Sequence, residues 1–138
     1  KTLCLMLVVL AGCAKTPDVE QIQAQIEQQE VSAEAGEIGR FMDGIAEDFS
    51  GQQGALDAQG LRDMLRVQLL ANTRIKVALS GVKVEVTGDT ATAEFSALLT
   101  GGPGFIPDAG KLVQVTTAWR KIDGQWQVVN ATWDPPTG

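Results

Sequence analysis

The sequence predicts an α+β fold in which three helices precede and cover an antiparallel sheet. Three observations carry this expectation. Apolar residues recur at helical spacing from residue 18 to about residue 71, the spacing changes to two from Ile75 onward, and the dipeptides Gly88-Asp89 and Asp123-Gly124 interrupt the alternation where hairpins would turn. Helices followed by strands, without alternation between them, place the helices on one face of the sheet.

The first helix begins around Thr16-Pro17-Asp18. Thr16 can cap it, Pro17 suits the first helical position, and Asp18 and Glu20 favour the positive end of the helix dipole. Val19, Ile22 and Ile26 form its apolar line, and Gly36 is a stop after Ala35. The second helix would carry Ile38, Phe41, Met42, Ile45 and Phe49 on one face. Gly39 and Gly44 weaken it by about 1 kcal/mol each relative to Ala. A loop over Ser50-Gly51-Gln52-Gln53-Gly54 follows. Asp57 then caps a third helix whose buried stripe is Leu61, Met64, Leu65 and Leu69, with an end near Asn72.

In the sheet, Ile75, Val77 and Leu79 alternate with polar or small residues, and Val82, Val84 and Val86 do the same. A two-residue turn at Gly88-Asp89 sets Val86 opposite Ala91, Val84 opposite Ala93 and Val82 opposite Phe95, all apolar. Lys83 then faces Glu94 on the other side, an opposite-charge pair. Gly101 to Gly110 is a Gly/Pro loop carrying Phe105 and Ile106. Lys111 to Ile122 is a long strand, and Asp123-Gly124 turns it into a return strand from Gln125 to Trp133. The same arithmetic sets Trp119 opposite Val128, Lys121 opposite Trp126 and Thr117 opposite Asn130. Val113, Val115, Thr117 and Trp119 then share a face with Trp126, Val128, Asn130 and Thr132. Pro135 and Pro136 end the strand, leaving residues 135–138 as a tail.

The first twelve residues read differently. Lys1 precedes an apolar run, Leu3 to Leu10, that is too short for a membrane span of about 20 residues and has the shape of a signal peptide starting upstream of Lys1. Leu10-Ala11-Gly12-Cys13 at its end resembles the lipobox of bacterial lipoproteins. That resemblance implies cleavage between Gly12 and Cys13, thioether lipidation of Cys13 and acylation, for example with palmitate, of the new amino terminus. One acyl chain anchors marginally and two or three anchor stably, at about 0.8 kcal/mol per buried methylene. Ala14, where an Asp commonly retains lipoproteins in the inner membrane, implies the periplasmic side of the outer membrane. Residues 13–17 form a short tether, so the domain sits close to the bilayer. Cys4 leaves with the signal, so the remaining chain has no disulfide. Roughly 125 residues follow, enough for one domain with one core.

Charge and composition exclude several functions. Without Lys1 the chain has ten basic and seventeen acidic residues, a net charge of −7. That opposes binding to nucleic acid or to anionic lipid head groups, so the membrane is a partner through the acyl chains alone. With no His and a single lipidated Cys, no zinc site is expected. Ser50, Ser80 and Ser96 lack a His partner, although a Ser-Lys pair stays open. Gly101-Gly102-Pro103-Gly104 has no following Lys, Ser or Thr and is a poor phosphate cradle. No cofactor is implied.

Residues 18–134 resemble the nuclear transport factor 2-like superfamily, the cystatin-like cone shared with ketosteroid isomerase and polyketide-cyclase relatives. Three segments carry the resemblance. The first is Ala35-Gly36-Glu37-Ile38 with Phe41-Met42, Ile45 and Glu47-Asp48-Phe49. The others are Trp119 to Trp126 around the Asp-Gly turn, and Ala131-Thr132-Trp133. The resemblance implies a curved sheet around an interior pocket. Enzymes of the superfamily place Asp, His or Tyr inside the cone, and this chain has neither His nor Tyr. Asp43, Asp48, Asp63, Glu85 and Glu94 fall on polar faces and read as solvated. The candidate pocket is therefore Thr117, Trp119 and Asn130, with Phe105 as a lid or partner contact. The sequence reads as a non-enzymatic lipoprotein binding a small apolar ligand or a protein partner. Two rivals remain: an isomerase- or cyclase-like enzyme with one buried carboxylate, and a structural envelope component forming a homodimer through the outer sheet face.

Overall fold

Gly36 sets the first corner of the chain. In this computed structural model, which describes residues 17–71, 75–101 and 111–134, Gly36 closes helix α1 (Asp18–Ala35) at φ 75°. Its N–H donates to the Ala33 carbonyl at 3.2 Å, and the Glu37 N–H donates to Ser32 at 2.8 Å. This closure needs a residue that tolerates positive φ. At the other end Pro17 precedes the helix and is not its first residue. Thr16 lies outside the described residues. Val19 is exposed, so the buried line of α1 starts at Ile22 and continues through Ile26.

The second helix is shorter than expected. Helix α2 (Ile38–Met42) ends before Gly44, and Ile45 and Phe49 belong to strand β1 (Ile45–Gly51). Their spacing of four is compatible with one face of either a helix or a strand, so periodicity alone does not separate the two. Pairing decides it. The Val128 N–H donates to the Gly44 carbonyl at 2.9 Å, and β1 runs parallel to the last strand with an irregularity between Ile45 and Ser50. Ser50 and Gly51 are also in β1, followed by a 3-10 turn (Gln52–Gly54) and a two-residue strand β2 (Leu56–Asp57). The expected block of three consecutive helices is thus interrupted by two strands. Helix α3 (Ala58–Ala71) follows, and the Asp57 carboxylate accepts the Gly60 N–H at 2.8 Å as its cap.

Strands β3 (Ile75–Thr87), β4 (Thr90–Gly101), β5 (Lys111–Ile122) and β6 (Gln125–Asp134) form an antiparallel meander. The whole sheet is mixed, with six strands in the order β2-β1-β6-β5-β4-β3. Two bulges give it curvature and alter the expected faces. In β3, Ser80 pairs Ser96 and Lys83 pairs Glu94, so Gly81 and Val82 together oppose Phe95. Gly81 takes φ 66°, as a bulge with a left-handed first residue requires. Val82 is therefore exposed and does not join Phe95, whereas Val84 and Val86 keep their expected partners.

The second bulge lies in β6. Trp119 pairs Val128 and Lys121 pairs Trp126, but Ala118 pairs Asn130, leaving Val129 as the extra residue. Beyond it the face alternation shifts by one. Thr117 opposes Ala131, not Asn130, and Ala131 and Trp133 line the interior in place of Asn130 and Thr132. The turn at Asp123 (φ 52°) and Gly124 (φ 81°) has the two positive φ values of a tight hairpin.

The concave face packs on α1 and α3 around Ile22, Ile26, Phe49, Leu61, Trp119 and Trp126. Each of the two indoles removes about 150–250 Å² from water, roughly 4–6 kcal/mol as an upper bound at 25 cal/mol/Å². Among the described residues no helix is long and apolar enough to cross a membrane.

Candidate functional site

The curvature leaves one end of the concave face incompletely filled. A cavity of about 270 Å³ lies there between the sheet and the helices. Its roof comes from the second half of α1, at Ile26, Gln29, Glu30 and Ala33. These positions extend the buried line that starts at Ile22. Leu61, Met64 and Leu65 of α3 close one side, and Phe41, Ile45 and Phe49 another. The floor is apolar. It comprises Val77 and Leu79 of β3, Phe95, Ala97 and Leu99 of β4, and Val113 and Val115 of β5, completed by Val128, Ala131 and Trp133 of β6. The bulge at Val129 brings Trp133 into this wall.

Thr117 is buried at the floor, and its hydroxyl is engaged within the fold. It donates to the Ala93 carbonyl at 3.0 Å and accepts the Trp119 indole N–H at 2.7 Å. Trp119 is 1% exposed, lies outside the cavity wall, and holds Thr117 in place. Asn130 lies next to Ala118 on one side and Ser50 on the other, away from the cavity. Of the expected pocket residues, the structure brings together Thr117 and Trp119 and leaves Asn130 aside. Phe105, Gly12 and Cys13 lie outside the described residues.

The five carboxylates weighed from the sequence, Asp43, Asp48, Asp63, Glu85 and Glu94, are all exposed. Asp48 is bound by Arg120 at 3.0 Å, and that hydrogen-bonded guanidinium holds its carboxyl below the usual range. Asp63 meets Arg66 at 3.5 Å. Among the described residues, the carboxylate that does reach the cavity is Glu30. It is half-buried, and desolvation, followed by the negative charges of Glu34 and Glu27, pushes its carboxyl above the usual value. Glu30 and Gln29 stand at i+4 and i+3 from Ile26, and that spacing is the trace they leave in the sequence.

Gln29 supports the roof differently. Its Nε2 is buried without a hydrogen-bond partner and rests on Gly44, where a Cβ would come within 2.9 Å of it. One turn earlier, Gln25 Nε2 donates to the Trp126 carbonyl at 3.0 Å. The Gln25 amide thus ties α1 to β6, while the Gln29 amide packs against Gly44 just before β1. Among the described residues no cluster of three or more His, Cys, Asp or Glu is poised to hold a metal.

No family model matches the chain, and no curated protein matches it. Solved structures do match. One is a nuclear transport factor 2-like protein of unknown function from Pseudomonas putida, with a TM-score of 0.74 at 22% identity over 86% of this chain and 87% of that one. The fold is the nuclear transport factor 2-like, cystatin-like cone. A protein of unknown function with a cystatin-like fold from Nostoc punctiforme superposes with a TM-score of 0.71 at 19% identity, covering 88% and 92% of the two chains. A hexachlorocyclohexane dehydrochlorinase from Novosphingobium barchaimii gives 0.71 at 14% identity, covering 86% of each. At these identities the likeness concerns the cone alone.

Proposed function

We propose that this protein is a lipoprotein of the bacterial envelope, anchored through Cys13 on the periplasmic side of the outer membrane, whose cone binds a small apolar ligand without catalysing its conversion. The observation that carries the binding reading is the cavity, whose described residues form a nearly uniform apolar wall bearing one carboxylate. Ligand sites have this composition, a hydrophobic lining with a few polar groups. An engineered apolar cavity of about 150 Å³ takes benzene, so this one suits a compound of two fused rings. The anchor reading rests on Leu10-Ala11-Gly12-Cys13.

Calorimetry with 1-methylnaphthalene on the full chain carrying Cys13→Ser, which has no acyl chain to compete, tests the cavity. Binding is expected, together with a loss of at least about tenfold on Ala97→Phe, which fills the space from β4. Absence of binding, or unchanged binding to the filled variant, refutes the reading. Incorporation of labelled palmitate in cells, abolished by Cys13→Ser with release of the protein from the membrane fraction, tests the anchor.

One observation favours a second reading. Glu30 faces the cavity with a carboxyl that ionises less readily than usual, a property shared by catalytic acids and bases. In that reading the protein is an isomerase- or cyclase-like enzyme, and Glu30→Gln abolishes turnover while ligand still binds.

A further inference from the structure

We infer that the cavity selects amphiphiles whose polar end is an amine over those ending in a carboxylate. The inference rests on the cavity-binding reading above and adds the chemical class of the ligand.

The argument begins with what the wall offers a polar group. Among the described residues, three that line the cavity are polar: Gln29, Glu30 and Thr117. Thr117 already donates to Ala93 and accepts from Trp119. The Gln29 amide nitrogen is buried against Gly44 and not open to a ligand. Glu30 remains. It is half-buried and touches both the cavity and solvent, so it sits where a ligand's polar end would emerge. A carboxylate accepts hydrogen bonds and attracts cations.

The surroundings reinforce that sign. Glu27 and Glu34 lie about one turn on either side of Glu30, and both act on it as negative charges. Glu34 also accepts the Val77 N–H of the edge strand at 2.7 Å, which fixes its charge beside the cavity wall. Helix α1 has no basic residue in its last turn, where the carbonyl end of the dipole would favour one. Among the described residues, none that lines the cavity is basic. In the same described set, Arg40 is paired with Glu37, Arg66 with Asp63, Arg120 with Asp48 and Lys121 with Asp18. An anionic end would thus meet like charge at the rim, while an ammonium would replace part of the water that Glu30 loses on burial.

The test compares three ligands of one shape, 1-methylnaphthalene, 1-naphthylmethylamine and 1-naphthoate, by calorimetry at pH 7 on the full chain carrying Cys13→Ser. The amine is expected to bind at least about tenfold tighter than the carboxylate, equivalent to about 1.4 kcal/mol. Adding Glu30→Gln should bring the two within about threefold of each other, each affinity read as a ratio to that of 1-methylnaphthalene for the same variant. Adding Glu20→Gln instead, at the far end of α1, should preserve the preference and so separates a local effect from net charge. Equal or tighter binding of the carboxylate overturns the inference, as does a preference that survives Glu30→Gln. If 1-methylnaphthalene binds without any amine preference, this inference alone fails. If none of the three binds, the cavity reading fails with it.

Discussion

Lys121 Nζ lies 3.0 Å from Asp18 Oδ1, and the same oxygen accepts the Trp126 indole N–H at 3.1 Å. The first turn of α1 is thereby fastened to the hairpin formed by β5 and β6, more than a hundred residues away. Lys121 also stands 5.7 Å above the Trp126 ring. Since both charged side chains are about one-third exposed, water weakens the ion pair, and the buried indole matters more. Asp18→Ala, which removes the acceptor from Trp126, should destabilise the fold by about 1–3 kcal/mol. Lys121→Met, which keeps that hydrogen bond, should cost under about 1 kcal/mol. Urea denaturation of the two variants checks the ranking; a larger loss for Lys121→Met would make the ion pair the principal contact.

Gly81 takes φ 66° in the β3 bulge, and a Cβ there would meet nothing within 4 Å. Substitution is therefore resisted by backbone conformation alone. Gly81→Ala should destabilise by about 1–2 kcal/mol, and Gly81→Asn by less, since Asn tolerates the left-handed region. A loss above about 3 kcal/mol on thermal unfolding would mean that the bulge also carries packing.

These two sites mark the limit of what the sequence discloses. The alternation from Ile75 and the Asp123-Gly124 turn were legible because strands and hairpins have strong local signatures. The Gly81 bulge leaves a trace, since Ile75, Val77 and Leu79 are odd while Val82, Val84 and Val86 are even, with a glycine between them. The Val129 bulge leaves none. Val128 and Val129 are both apolar, and neither reveals which one loops out, so simple alternation puts Asn130 on the wrong face. Ile45 and Phe49 fit both periods, and only pairing with β6 made them strand residues. Glu30 is faint in the sequence for a related reason. It is assigned to the cavity by the curvature of a sheet some fifty residues further along the chain.

Burial and the adjacent Glu34 and Glu27 make the folded protein hold the Glu30 proton more tightly than the unfolded chain does. For a group raised in this way, the stabilisation from proton binding is complete below the unfolded value and disappears as pH rises through the folded one. At neutral pH an ionised Glu30 thus opposes folding. Glu30→Gln should raise the unfolding temperature at pH 7, and the gap to the unmodified protein should close as pH falls below the ordinary carboxylate range. No gap at pH 7, or a gap that widens in acid, contradicts this environment for Glu30.

The last prediction concerns how the cavity is presented. The Lys121 N–H donates to the Asp89 carbonyl at 2.8 Å, so the turns at Gly88-Asp89 and Asp123-Gly124 lie side by side, and Asp18 binds the same hairpin. The start of α1 and both turns therefore share one end of the cone. The cavity uses the opposite ends of the strands. Val115 is eight residues from Asp123 along β5, roughly 26 Å at 3.3 Å per residue. If Cys13 is the anchor, five residues before Asp18, the turns face the bilayer and the cavity opens away from it. Its ligand would then be exchanged with the aqueous space or a partner there, not drawn from the lipid. Fluorophores on Asp123→Cys and on Leu98→Cys, an exposed site near the cavity end, can be compared in vesicles carrying nitroxide-labelled head groups. Quenching should be several-fold stronger at position 123. Equal or stronger quenching at position 98 would turn the cavity toward the membrane and make the lipid phase its source of ligand.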